Sequence, residues 1–290
     1  QWLKDGSLDM LMIGGGYLPY GGRLKEFIDM AHQYGIHAYP CQNHFIKAQP
    51  MQSIASGFFA LGGDGFYMFN YGGVHPNIPG ECLSQIGDPS TLAGIDKLFI
   101  ANHTVRLPYI GHNNPKPQFP VPLVGGEEIE IIVGDNLAQV KQPLRATFTI
   151  KVHNLNNHTS LANVIEGTPS NEGIILQVNG TQLPKHSAQR IDADTFIADV
   201  APEVLVDGIN RVRVIPGPHC VGELSSAVTG LELLVDYDPE PRNPIQGTTK
   251  TFNRTLLKPT DAGVVSLYDV AVGTRQSIRF DIAAELDRFD

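Results

Sequence analysis

The first hundred residues alternate between two hydrophobic periods, and this constrains the chain more than any other feature. Leu8–Ile13 is an apolar run broken only by Asp9, as a strand buried on both faces requires. Gly14-Gly15-Gly16-Tyr17 breaks the run. Leu24, Phe27, Ile28, Ala31 and Tyr34 then recur at helical spacing as far as Gly35. Ile36–Pro40 is the next strand and leads into Cys41-Gln42-Asn43-His44. Met51–Leu61 reads as a second helix, with Ile54, Phe58 and Leu61 on one face and Gly62-Gly63 as its stop. Gly65–Asn70 is a third strand. Pro89–Ile100, with Leu92, Ile95, Leu98 and Phe99, is a further helix. The order β-α-β-α-β-α implies parallel strands joined by right-handed crossovers. Three such units cannot close a barrel, which takes eight. The rival architecture is a doubly wound nucleotide-binding sheet, whose glycine pattern would open a helix. Gly14-Gly15-Gly16 instead runs into Tyr17-Leu18-Pro19.

The pattern changes near residue 110. Leu144, Ala146, Phe148, Ile150 and Val152 alternate, as do Ile174, Leu176 and Val178, and as do Leu231, Leu233, Val235 and Tyr237. Asn179-Gly180 supplies a tight hairpin turn, and Asp207-Gly208-Ile209-Asn210 another turn before Val212 and Val214. Alternation with frequent turns means an antiparallel β-sandwich. The expected organisation is an α/β region over residues 1–110, a Pro- and Asn-rich linker over 111–122 and an all-β region over 123–290. The last stretch holds one clear strand at Gln276–Ile282.

Composition removes several classes of function. The net charge is −9 with no basic cluster, so there is no electrostatic case for nucleic acid. No run of about 18 apolar residues offers a membrane span. Gln1-Trp2-Leu3-Lys4 reads as mid-domain sequence rather than a leader, as in a processed or partial chain. The three cysteines, Cys41, Cys82 and Cys220, have no metal spacing. A Cys41–Cys82 bridge is the pairing that an oxidising compartment would allow. No cofactor is expected, and no metal, at His44 and His75 or elsewhere.

Particular segments carry a family resemblance. Trp2-Leu3-Lys4-Asp5-Gly6-Ser7-Leu8-Asp9-Met10-Leu11 resembles the entry into a late barrel strand of family-10-like glycoside hydrolases. Ala60-Leu61-Gly62-Gly63-Asp64-Gly65-Phe66-Tyr67-Met68-Phe69-Asn70 resembles their last strand. Ile86-Gly87-Asp88-Pro89, with Asp96-Lys97, resembles their final helix. Val178-Asn179-Gly180 and Gly208-Ile209-Asn210-Arg211-Val212 resemble hairpins of jelly-roll modules attached to glycosidases. The resemblance implies α/β plus all-β architecture: the last three units of a (β/α) barrel, followed by an antiparallel β-sandwich of jelly-roll type. The first five barrel units would lie upstream or on a second polypeptide that completes the barrel.

A barrel's active face lies at the C-terminal ends of its strands. Glycoside hydrolysis ordinarily uses two carboxylates flanking the scissile bond. No acid follows the strands directly. Asp9 and Asp64 stand at strand beginnings, on the opposite face, and Glu26 and Asp29 lie on the solvated side of a helix. The strand ends carry Tyr17, Gln42, Asn43, His44, Asn70 and Tyr71, whose amides and rings suit sugar hydroxyls and sugar faces. Glu81, in the loop after the third strand, is the one candidate catalytic acid on that side, while Asp88 suits a helix cap. The expected function is part of a glycoside-hydrolase-like protein acting on an oligo- or polysaccharide, with its catalytic carboxylates upstream or on a partner. The alternative is a non-catalytic carbohydrate-binding or structural surface protein. Either reading places the protein outside the cell, in the periplasm or on the cell surface.

Overall fold

A computed structural model describes residues 1–14, 22–42, 48–68, 80–101, 118–140, 144–157, 173–184, 187–217 and 220–237. All of these belong to one unit, Gln1–Pro239. The strand expected at Gln276–Ile282 lies outside the described residues.

The chain begins β1 (Met10–Gly14), α1 (Gly22–Gln33), β2 (His37–Gln42), α2 (Ala48–Ala60) and β3 (Tyr67–Met68). The strands lie in the order β1-β2-β3 and are parallel, as alternation of strand and helix requires. Leu24, Ile28 and Ala31 of α1 pack with Ile13, Ala38, Phe58 and Leu61. Gly35 ends α1 at φ +69°, and Ile36 N donates to Ala31 O, closing the turn. Gly62 repeats the device after α2 at φ +95°, with Gly63 N donating to Phe58 O. Glu26 and Asp29 are exposed and face Arg23 and Lys25 along α1.

Two short helices follow, α3 (Gly80–Gln85) and α4 (Pro89–Leu92). Asp88 caps α4, accepting from Ser90 N at 2.8 Å, and this hydrogen bonding holds its carboxyl below the usual range. The long helix expected over Pro89–Ile100 is not formed. Ala93 and Gly94 leave helical geometry, and Lys97–Ile100 is a strand, β4. Asp96 and Lys97, matched above to a final helix, stand at its start. Lys97 and Phe99 point inward and Leu98 and Ile100 are half-buried, a period of two that the apolar spacing concealed.

The remaining strands are β5 (Val121–Pro122), β6 (Glu128–Val133), β7 (Arg145–Asn157), β8 (Ile174–Val178), β9 (Thr181–Gln182), β10 (Ala188–Arg190), β11 (Thr195–Val200), β12 (Gly208–Pro216) and β13 (Cys220–Asp236). They form two antiparallel sheets. One runs β10-β11-β7-β13-β4, with β5 also on β13, and the other runs β6-β12-β8-β9. The alternating residues behave as their pattern dictates. Ala146, Phe148, Ile150 and Val152, then Ile174, Leu176 and Val178, then Leu231, Leu233, Val235 and Tyr237 are all buried in one shared core. Each such side chain contributes roughly 1.5–3 kcal/mol, so this larger core carries more of the stability than the smaller ones around α1 and α2. Asn179 and Gly180 take φ +50° and +80°, the two left-handed positions of the tight hairpin between β8 and β9.

The two regions interlock. β4 precedes residue 110 yet pairs with β13, and β5 pairs with β13 from within the Pro-rich stretch at 111–122. Ile132 of β6 and Ile209 of β12 pack into the core of the parallel sheet. Helix α2 meets β6 at very short range. A Cβ on Gly134 would lie 2.0 Å from the Ser56 carbonyl carbon, and one on Gly57 would lie 2.9 Å from Ile132 Cγ2.

Candidate functional site

The register of the parallel sheet brings Gly14, Cys41 and Tyr67 side by side, with Gln42 beside Met68. The C-terminal ends of β1, β2 and β3 therefore share one edge. Gly14 leaves β1 at φ +112°, and a Cβ there would lie 3.1 Å from Cys41 O, so only glycine fits this exit. Gln42 is the last residue of β2. Its side chain, with Tyr17, Asn43, His44, Asn70 and Tyr71, lies outside the described residues. In sequence, Gln42 closes β2 and the others lie within three residues of the end of a strand at this edge.

Glu81 is exposed in the first turn of α3, where a carboxylate is favourably placed against the helix N-terminus. Its carbonyl accepts from Ser84 Oγ at 2.7 Å. The other side of α3 buries Cys82, whose thiol is pushed up to about 11 by burial and by the Glu81 charge. Cys41 and Cys82 are buried thiols and are not bridged. Cys82 packs in a cluster with Met51, Ala55, Ile86 and Leu92, and the bridge that an oxidising compartment would allow is not formed.

The opposite edge of the sheet holds the acid placed there by sequence. Asp64, just before β3, accepts from Ala38 N at 2.7 Å and meets His32 Nε2 at 2.8 Å and His37 Nδ1 at 3.2 Å. Burial pushes this carboxyl up, but the Ala38 amide and the two imidazoles outweigh it and hold it at about 2 instead of 3.8. The folded value lies below the unfolded one, so the contribution to stability is present above about 3.8 and is lost as pH falls towards 2. Asp64→Asn is expected to remove about 1–2 kcal/mol at neutral pH, allowing for partial solvent screening. Urea unfolding should show this gap at pH 7 and its fall to roughly a third at pH 2.5, where the folded carboxyl is still partly ionised. A gap that persists in full in acid would show that the amide substitution acts through packing.

A second polar cluster was not legible as a site. Lys97 is fully buried, and its Nζ donates to Asp135 Oδ2 at 2.8 Å, to Ile95 O at 3.2 Å and to Leu92 O. Tyr237 Oη donates to the same Asp135 oxygen at 2.6 Å, and Tyr237 N donates to Asp96 Oδ1 at 2.8 Å. The Lys97 ammonium also stands 5.5 Å from the centre of the Tyr237 ring. Burial pushes the Lys97 ammonium down while Asp135 pushes it back up. Burial, then Asp135, push the Tyr237 hydroxyl far up, and the same two influences raise the Asp207 carboxyl. The three ammonium protons have three acceptors, so the cluster is satisfied and closed to solvent. The one sequence signal for it was a lysine within an apolar run. Its partners lie at residues 135 and 237, too remote for local pattern to reach.

Among the described residues, no set of three or more His, Cys, Asp or Glu is placed to hold a metal ion, and no helix is long and apolar enough to cross a membrane.

No protein-family profile matches the chain, and neither does any curated protein. Among solved structures it is similar to BpGH86A, a beta-porphyranase of glycoside hydrolase family 86 from the human gut bacterium Bacteroides plebeius. The TM-score is 0.27 and the identity 11%, over 49% of this chain and 20% of that one. It is also similar to wild-type BuGH86 in complex with neoagarooctaose, with a TM-score of 0.26 and 14% identity over 48% of this chain and 18% of that one. The matched part thus spans about a fifth of the length of these enzymes.

Proposed function

We propose that the C-terminal edge of the parallel sheet is one wall of a carbohydrate-binding groove in a glycoside-hydrolase-like protein. In this reading β1, β2 and β3 are the last units of a (β/α) barrel, and the antiparallel sheets form a jelly-roll-type β-sandwich beside it. The observation that carries the reading is the register. Because Gly14, Cys41 and Tyr67 are neighbours across three parallel strands, the strands that Tyr17, Gln42, Asn43, His44, Asn70 and Tyr71 close or follow in sequence all end at one edge. Amides that donate and accept in pairs suit sugar hydroxyls, and tyrosine rings suit the apolar face of a pyranose.

That set lacks two facing carboxylates, which is why hydrolysis is assigned to the protein and not to this edge alone. Glu81 is one candidate acid. The essential pair comes from an upstream barrel half or from a second polypeptide that completes the barrel. The protein acts outside the cytoplasm, in the periplasm, at the cell surface or beyond it. The absence of acids among the residues that follow the strands also favours a second reading, a surface that binds glycan without cleaving it.

A glycan panel tests both readings on this chain and on the same chain with its upstream sequence. This chain should bind an oligosaccharide without turnover, and the longer one should hydrolyse it. Asn70→Ala should weaken binding about tenfold, the loss of one hydrogen bond to a ligand hydroxyl. Turnover by this chain, unaffected by Glu81→Gln, would overturn the upstream assignment of the carboxylates. Binding without hydrolysis by the longer chain would select the second reading. Failure of both chains to bind any glycan would remove the carbohydrate assignment.

A further inference from the structure

The Lys97 cluster takes no part in the proposed groove, and its chemistry reaches beyond an ion pair. We propose that Lys97 and Asp135 become joined, within the folded protein, by an amide bond between the lysine Nζ and the aspartate Cγ, with loss of one water. Three observations support the bond. The first is proximity: Nζ lies 2.8 Å from Asp135 Oδ2, with side-chain exposures of 0% and 8%. The encounter is thus held by the fold, and the entropic barrier to a bimolecular condensation is already removed. The second is the dry surroundings. The enclosed ammonium loses its hydration, which favours the neutral amine that attack needs. Exclusion of water also protects the product from hydrolysis. The third is a donor aimed at the departing atom. Tyr237 Oη, held in its protonated form by burial, donates to the same Oδ2 at 2.6 Å.

The step balances without an oxidant or activating group. One ammonium proton passes to the carboxylate, and the amine lone pair then attacks Cγ. The Nζ–Cγ bond forms and the Cγ–Oδ2 bond breaks. The oxygen leaves as water with that proton and a second one from the nitrogen. Leu92 O and Ile95 O, which now accept from Nζ, orient the nitrogen and provide an acceptor for the N–H that remains.

Intact-mass measurement of the purified wild-type chain is the test, with peptide mapping. The expected result is a mass one water below that of the sequence and a branched peptide joining residues 97 and 135. Lys97→Arg and Asp135→Ala should both appear at their full sequence masses. Tyr237→Phe should approach the bridged mass more slowly than wild type after refolding. A wild-type chain at full mass, with Lys97 recovered in an unbranched peptide, would overturn the proposal even if every variant failed to fold. A water loss mapped to any other residue would overturn it too, and loss of ammonia from Gln1 is distinguishable by mass. A Tyr237→Phe chain that bridges at the wild-type rate would remove the tyrosine from the step.

Discussion

Lys97→Met is expected to lower the unfolding free energy by about 3–5 kcal/mol relative to the ion-paired chain in which Lys97 and Asp135 are not yet joined, because it strands a buried carboxylate. Methionine fills much of the lysine stem's volume, so little of this loss comes from a cavity. Asp135, only 8% exposed, would keep Tyr237 Oη as a donor but lose the cation that balances it. Leu92 O and Ile95 O would lose their shared donor. A domain of ordinary stability has about 5–15 kcal/mol in total, so this one change removes about a fifth of it or more. Combining it with Asp135→Asn should recover part of the loss, since the stranded charge is gone. Urea denaturation followed by circular dichroism measures both, and the pair forms a double-mutant cycle. A single-variant loss below about 1 kcal/mol would show that the cluster is solvated in solution.

The second large effect is expected at Gly134. Its added Cβ would lie 2.0 Å from the Ser56 carbonyl carbon, 2.3 Å from Ser56 O and 2.4 Å from Gly57 N. All three are backbone atoms of α2, so no rotamer change relieves the overlap and either the helix or the strand must move. Gly134→Ala is therefore expected to cost about 3 kcal/mol, the upper part of the usual overpacking range. Gly57→Ala provides the control. Its Cβ would meet Ile132 Cγ2 at 2.9 Å, and that methyl group can turn aside, so about 1 kcal/mol is expected. Equal losses at the two positions would mean that α2 and β6 yield as readily as a side chain. Thermal unfolding of the two variants separates these outcomes.

How far sequence reached these features depends on whether their causes are local. The alternation in β7, β8 and β13 and the Asn179-Gly180 turn are local causes, and each gave the observed element. The parallel order of β1, β2 and β3 follows from crossover length and was equally readable. The strand β4 was not. Leu92, Ile95, Leu98 and Phe99 imitate a helical stripe, and the inward turn of Lys97 is explained only by Asp135 and Tyr237. Prolines around β5 read as linker, yet Val121–Pro122 pairs with β13 at a position where the ladder tolerates proline. At the candidate groove, sequence supplied residue types and their place after each strand, and the structure supplied the shared edge. Asp64 and Asp88 were placed from their positions relative to a strand and a helix start, and their hydrogen bonds agree.

The pairing of β4 with β13 also bears on how the molecule is assembled as it is synthesised. Ile100 finds its partner in Glu232, and Lys97 needs both Asp135 and Tyr237 before its charge is matched. Until the last of these residues has left the ribosome, β4 has no ladder and the lysine has no enclosed place. The α/β units can gather their local contacts early, whereas the strand that anchors them to the rest waits for distant sequence, the slow class of event in folding. A nascent chain halted before residue 231 is accordingly expected to offer an apolar β4 to chaperones, and one released after Tyr237 to conceal it.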